Sequence, residues 1–481
     1  MPIPGQTISI QDPGLGLVAP ATNIPLVMGA ASSGTDNAVV TLTKQADVAA
    51  FGEGPLPEFL ARQLLLGGGP IRAMKVEATI VGVSGSVVGS GGGPTVSLAG
   101  EPYDTYDGVI TIVAGGILGA GTFSYTLDAG ATESGVLIIP AGGSFPIPNT
   151  NITVTFAAGT YVADETYTWS STEPRSNASD ISSAFTALAL LNVDYDYITQ
   201  SNTYADVTAA AAQFDANDGH LATLFNAFEY KRLFQDAGPG NASSTITGFL
   251  SSESTRISPC YGFFTAASAK PFQGRGTRNF VLAIEASVQA QIQLISTDLA
   301  RVENGKLGGA VSPVTAIAFD ATNDDTLDTA KFTTTRTWKG RPGFFFTNVR
   351  FKSPAGSDFL YWQHGRIIDD ASEVVQVAQQ GFIGRGVRTI DSPVGAIDPR
   401  DAAGLETEVN TPLAVVLTSP ANVEGTQGHV TAFQYEIDRT NNVLSTQTIL
   451  SELRIKPFGY VKFITTTIGY SATLGAEEDS E

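Results

Sequence analysis

Residues Leu453 to Tyr470 read LRIKPFGYVKFITTTIGY. Pro457 and Gly459 supply turn chemistry, and the run that follows is dense in β-branched and aromatic residues. Val461 and Phe463 project to one face, while Lys462, Ile464, Thr466, Ile468 and Tyr470 project to the other. This pattern predicts a strand with apolar groups on both faces, followed only by an acidic tail, GAEEDSE. Such a strand presents unpaired backbone donors and acceptors unless something pairs with it. The beginning is similar: Thr7, Ile8, Ser9 and Ile10 alternate, and Asp12-Pro13-Gly14 closes the run. Two strand-like arms at opposite ends suit a subunit that pairs its edges with neighbours. Pairing of both arms within one domain is the alternative that the arms alone leave open.

The rest of the chain bears on that choice. At 481 residues it has room for two to four domains and several cores. Hydrophobic residues make up 42% and charged residues 15%, so the chain folds but places few charges on its surface. A surface of Gly, Ala, Ser and Thr packs against copies of itself without desolvating many charges; a secreted β-rich protein would have a similar composition. The formal net charge of −20, with no Lys/Arg cluster, argues against direct nucleic-acid binding. Cys260 is the only cysteine, which excludes an intrachain disulfide. The start, MPIPGQ, has neither the basic region nor the apolar run of a signal peptide. No apolar stretch approaches the ~20 residues that span a bilayer. These features predict a chain made and folded in a cytoplasm, without membrane insertion.

Along the chain, strands are expected at Asn23–Ala30, Val39–Thr43 and Ile71–Val76. A helical turn over Asp47–Phe51 and a helix opening at Pro57 and stopped by Gly67-Gly68-Gly69 lie among them. Strand, helix and strand in this order indicate an α/β layer. From Glu77 to Glu173 the chain is rich in Gly, Ser and Thr, with short alternating runs such as Val109–Val113 and Thr122–Leu127. That is the pattern of an inserted β-sandwich-like module. Helices return with Ser179-Asp180 as cap; a strand at Asp194–Thr199 and an alanine-rich helix around Tyr204–Phe214 follow. A separate helix then carries Leu221, Leu224, Phe225 and Phe228. Ser258–Ala266 is expected as one strand and Asn279–Asn304 as the longest helix. Strands in Gly343–Phe351, a helix after Tyr361 and a strand at His429–Asp438 complete the reading. The fold class is thus α+β or α/β multidomain, with a discontinuous α/β core built from both chain ends. The expected division is an N-terminal arm at 1–20, a core at 21–76 and 341–452, and the β-rich outer module at 77–173. A middle α/β domain at 174–340 and a C-terminal arm with its acidic tail at 453–481 complete it.

A search for catalytic chemistry returns little. His220, His364 and His429 show no zinc-ligand spacing. Gly82-Val83-Ser84-Gly85-Ser86 lacks the last glycine of a nucleophile elbow. Gly305-Lys306-Leu307 lacks the upstream glycine and the hydroxyl of a phosphate loop. Asp320, Asp324, Asp325 and Asp328 break the calcium-loop spacing and read as a solvated acidic loop. His364, beside Trp362 and Arg366, has no nucleophile near it in sequence and reads as a structural histidine. No catalytic, cofactor or metal residue is assigned, and the chain is not expected to be an enzyme.

Three segments resemble the contractile tail sheath proteins of bacteriophages and of related injection machines. The first combines QDPGLGLVAP, NIPLVMGAASSG and VVTLTKQADVAAFGEGP; the others are YWQHGRIIDDASEVVQVAQQGFIGR and PFGYVKFITTTIGYSA. They cover roughly residues 1–76 and 341–472, under half of the chain. The resemblance implies hexameric rings stacked helically around an inner tube and joined by strand addition between subunits. Contraction of such a lattice drives the tube through a cell envelope. The implied partners are the chain itself, an inner tail tube protein, and baseplate and tail terminator proteins. The implied location is the phage virion, after assembly in the bacterial host cytoplasm. The strand arms would be Thr7, Ile8, Ser9, Ile10, Val461, Phe463, Ile464, Thr466 and Ile468. Their hinges would be Pro13, Gly14, Gly16, Pro457 and Gly459. The other classes weighed are a static virion surface or decoration protein, whose β-module binds a receptor or glycan, and a hydrolase assembled around His364.

Overall fold

The computed structural model describes residues 23–191, 193–303, 305–308, 310–313, 316–317, 326–418, 428–462, 464 and 466; for 310–313 and 316–317 only the backbone is described. Its centre is the strand Pro25–Gly29, PLVMG, buried along its whole length. Successive side chains of a strand point to opposite faces, so a strand covered on both sides must be apolar throughout. Val27 enters the hydrophobic cluster on one face, and Leu26 and Met28 enter the cluster on the other. This strand lies inside a six-stranded sheet ordered Ile257–Cys260, Arg232–Asp236, Tyr197–Gln200, Pro25–Gly29, Ile71–Lys75, Val39–Leu42. All neighbours run parallel except the last pair.

Helices cover both faces. Pro55–Leu66 starts with prolines in its first turn and is buried from Pro55 to Leu64. It shares one face with Leu282–Ile292, whose first nine residues are all buried, so that helix shows no polar side. Ala178–Leu188 and Val207–Asn226 cover the opposite face. On one side of Pro25–Gly29 the strands follow in chain order from Tyr197–Gln200 to Ile257–Cys260; on the other, Ile71–Lys75 comes first and Val39–Leu42 closes the edge.

Between Val88 and Ser170 the strands form two sheets of their own, one of five strands and one of three. Asp107–Ala114 alternates outward and inward, and its inward residues join Phe123, Tyr125, Phe156, Tyr161 and Trp169 in a separate core. Gly108 is required there by close approach: a Cβ would stand 2.0 Å from Trp169 Cε2. A long hairpin, Phe263–Phe272 with Arg275–Val281, reaches from the six-stranded sheet into this module. Its tip carries Phe272 into the module core and Gly274, at φ +83°, against Tyr125.

The last third packs the helices Trp362–Gln380 and Pro399–Leu417 around Ile367, Ala371, Leu405, Val409 and Leu413. A two-stranded antiparallel sheet, Ala432–Ile437 with Ser451–Lys456, turns Tyr435 and Ile437 onto this core.

The mixed α/β class with several sheets agrees with the sequence reading. The details differ in several places. The reading placed 21–76 with 341–452 and kept 174–340 apart, but the pairing joins strands from 25–75 and 197–260 in one sheet. The helix expected over Asn279–Asn304 is only Leu282–Ile292, because Asn279 to Val281 belong to the hairpin; Asn304 lies outside the described residues. The two helices expected around Tyr204–Phe228 are one, Val207–Asn226, and Phe228 is exposed beyond its end. Ser258–Ala266 divides into two strands at Tyr261-Gly262, where Gly262 takes φ +100°. Asn177, rather than Ser179-Asp180, caps Ala178–Leu188 by accepting from Ser179 and Asp180 N–H. Arg232–Asp236 and Pro399–Leu417 were not anticipated: the first is a buried strand with charged ends, the second a helix with Pro412 inside it.

Candidate functional site

The stretch after Lys456 leaves the two-stranded sheet through Pro457 and Gly459 and crosses the molecule before its described part ends. Tyr460 and Lys462 fix its root. The Tyr460 hydroxyl donates to the Ser296 carbonyl at 2.6 Å, and Lys462 Nζ is ion-paired with Asp298. Lys462 also lies over the Tyr361 ring, 4.9 Å from its centroid, and Tyr460 packs beside His364. The apolar residues between and after these two anchors turn outward: Val461 is 79% exposed and Ile464 82%. Thr466 is exposed as well. Residues 457–462, 464 and 466 take no part in a strand within the chain. The strand expected there therefore has no partner among the described residues. Phe463 and Ile468 lie outside those residues, as do Thr7, Ile8, Ser9, Ile10, Pro13, Gly14 and Gly16.

The sheet beside this root has two strands, Ala432–Ile437 and Ser451–Lys456. An isolated two-stranded hairpin is marginally stable. Its Ala432–Ile437 edge is touched by the helix Pro399–Leu417, where Glu406 accepts from Ile437 N–H at 2.8 Å. Along the other edge, Ser451–Lys456, no further strand pairs among the described residues. Its outward face carries Glu452 and Arg454, charges of the kind that keep an edge soluble.

Behind this surface, two arginines fasten the helix Trp362–Gln380 to the six-stranded sheet. Arg232 grips Asp369 with two parallel hydrogen bonds, and Arg366 donates to Asp196 and Asp370 at 2.9 and 3.1 Å. Trp362 stacks on Phe234 with ring centroids 3.7 Å apart. Sequence reading missed these anchors, since pairing across 137 residues leaves no local pattern.

The other candidates stay apart. The recorded neighbours of His364 are the Tyr361 and Tyr460 rings and the Asp358 carbonyl, and burial lowers its pKa. None of these is a nucleophile. His220 stacks on Phe185, and His429 Nδ1 meets Ser296 Oγ at 2.9 Å. Asp328 pairs with Arg350, while Asp320, Asp324 and Asp325 lie outside the described residues. Among the described residues no three His, Cys, Asp or Glu side chains converge as metal ligands. No described helix is long and apolar enough to cross a membrane.

The family described as DUF2586, N-terminal domain, matches residues 3–350. A chain of the anti-feeding prophage baseplate superposes with a TM-score of 0.54 at 11% identity, over 98% of this chain and 99% of that one. The anti-feeding prophage helical sheath in its contracted state gives 0.52 at 11% identity, over 98% and 100% of the two chains. The contracted PVC sheath complex of an extracellular contractile injection system gives 0.50 at 10% identity, over 98% of each. These likenesses are of fold. No curated protein matches in sequence.

Proposed function

The chain belongs to the DUF2586 family, and from that premise and its fold we propose that it is the polymerising subunit of a contractile sheath. The observation that carries this reading is the C-terminal stretch: it is anchored at Tyr460 and Lys462, while Val461 and Ile464 are exposed and lie in no strand. A stretch that leaves its own molecule in this way gains backbone partners by adding to another molecule's sheet. The Ser451–Lys456 edge of a neighbouring copy is the acceptor on this reading. The N-terminal arm, residues 1–20, adds a strand in the same manner. Hexameric rings then stack around an inner tube, with Pro457 and Gly459 as hinges that let subunits move while the strand links persist.

Support comes from the end-to-end likeness of fold to the contracted anti-feeding prophage sheath and the contracted PVC sheath complex. The module at 77–173 forms the outer part, and 21–76, 174–340 and 341–452 form the body. The energy of contraction is stored in the extended lattice and released when subunits repack. The role is mechanical, with no catalytic step and no cofactor. The partners on this reading are further copies, an inner tube protein, and baseplate and terminator proteins.

Negative-stain electron microscopy of the purified chain at increasing concentration tests the proposal. Long hollow tubes with six-fold symmetry are expected, either from the chain alone or when inner tube and baseplate are supplied as nucleus. A closed, small oligomer that never extends, even on that nucleus, would favour the static decoration protein.

A further inference from the structure

Residues 77–173 contain nine carboxylates and no lysine, arginine or histidine. The cations that meet them come from the hairpin strand Arg275–Val281. Asp104, fully buried, accepts from Arg275 Nη2 at 2.9 Å and from Arg278 Nε and Nη2 at 3.1 and 2.6 Å. Glu173 accepts from Arg278 Nη2 at 3.1 Å and from Thr203 Oγ1 at 2.6 Å. Glu58, on the helix Pro55–Leu66, pairs with Arg275 at 3.7 Å and accepts from Ser268 at 2.6 Å. Each of these five charged residues is buried. Around the hairpin tip, Leu127 N–H donates to the Gly274 carbonyl at 2.7 Å, and Gly276 N–H donates to Asp128 at 2.9 Å.

Three buried carboxyls against two buried guanidiniums leave one negative charge too many in the cluster. We propose that the β-module is fastened to the six-stranded sheet by a proton-dependent lock, closed while Glu173 holds a proton and loosened when that proton is lost. Burial pushes Glu173 up to about 7 against the pull of Arg278, and Asp104 adds to the rise. Burial acts the same way on Asp104, but Arg278 and Arg275 together hold it well below the usual carboxylate range. The proton therefore belongs to Glu173, and a hydrogen bond between the two carboxyls needs it.

The cluster around Glu173 draws on three elements: Arg278 reaches it from the hairpin, Asp104 of the module shares that arginine, and Arg275 links Asp104 to Glu58 on the helix Pro55–Leu66. A cavity of about 510 Å³ that Glu173 lines is also lined by Asp107, Asp128, Arg175, Tyr204 and Asp236. The sign follows from the raised value. The lock contributes fully below the ordinary 4.5 of a glutamate and is lost as the pH rises through about 7. This inference does not depend on the sheath reading.

Arg175 is the one tryptic site between Lys75 and Lys231. It pairs with Ile80 through two backbone hydrogen bonds at the base of the module, so cleavage there reports opening of the junction. The experiment follows cleavage at Arg175 in the unpolymerised full-length chain, normalised at each pH to a peptide substrate. The expected rise is about ten-fold from pH 6 to 8.5. Glu173→Gln should flatten the profile, and Asp236→Asn should leave it as in the wild type. A flat wild-type profile overturns the proposal. So does a folded Glu173→Gln chain with the wild-type rise, or a rise that Asp236→Asn abolishes. The wild-type and Asp236→Asn arms decide the matter even if Glu173→Gln does not fold.

Discussion

Arg232 and Asp369 face each other as a closed fork, with Nε 2.5 Å from Oδ2 and Nη2 2.7 Å from Oδ1, both residues buried. Arg232 stands on a central strand and Asp369 on the helix Trp362–Gln380, so this pair ties the last third of the chain to the sheet. Removing one partner leaves the other charged and buried. Asp369→Ala should lower stability by about 3–5 kcal/mol, read from urea unfolding. Glu452→Ala, which breaks the solvent-facing pair with Arg454, should leave the urea midpoint unchanged.

Gly365 makes room for that fork. A Cβ there would stand 2.5 Å from Arg232 Cζ. Alanine normally strengthens a helix interior by up to ~1 kcal/mol over glycine. Here the clash should dominate: Gly365→Ala is expected to destabilise by about 1–3 kcal/mol in the same unfolding measurement. An unchanged or higher midpoint would show that the guanidinium can move aside.

Deleting Val461 to Tyr470 should leave a folded monomer that does not polymerise. Among the described residues lost, Val461 and Ile464 are exposed, and the internal contact given up is that of Lys462 with Asp298 and Tyr361. Circular dichroism should match the full chain, while micrographs show no tubes. Normal tubes from this truncation would remove the C-terminal arm from the assembly scheme.

Asp236 predicts a pH dependence of the sheet itself. Burial pushes its carboxyl up to about 7, with the Gly238 and Ala237 N–H groups opposing. Because that value lies above its ordinary 3.8, the contribution to stability is full below 3.8 and falls as the pH rises through about 7. The urea midpoint of the wild type should fall between pH 5 and 8, and Asp236→Asn should reduce that slope. Equal slopes would show that Asp236 is ionised in the fold.

How much was legible depended on whether the signal was local. Pro25–Gly29 and Pro55–Leu66 were found because continuous burial writes continuous apolar sequence, with prolines and glycines at the ends. Arg232–Asp236 was missed because its end residues are charged, and Arg232 is tolerable in a core through distant Asp369 together with the Thr255 carbonyl. Pro399–Leu417 was missed because Pro412 reads as a breaker, although the helix continues through it. The stripe drawn over Asn279–Asn304 joined the end of a hairpin strand to a short helix; when every side of a helix is buried, periodicity gives no boundary.

For the assembly surface, the sequence determined the apolar residues at Val461 and Ile464, the turn at Pro457 and Gly459, and the absence of any basic residue in 77–173. These are properties of consecutive residues, and alternation and composition record them directly. Only the tertiary structure decided that Tyr460 and Lys462 clasp Ser296 and Asp298, and that no further strand among the described residues pairs with the edge of Ser451–Lys456. It alone placed Arg275 and Arg278 on Asp104 and Glu173. Contacts between residues more than a hundred positions apart are fixed by how the sheet, module and helices pack, and no stretch of the chain carries that information alone.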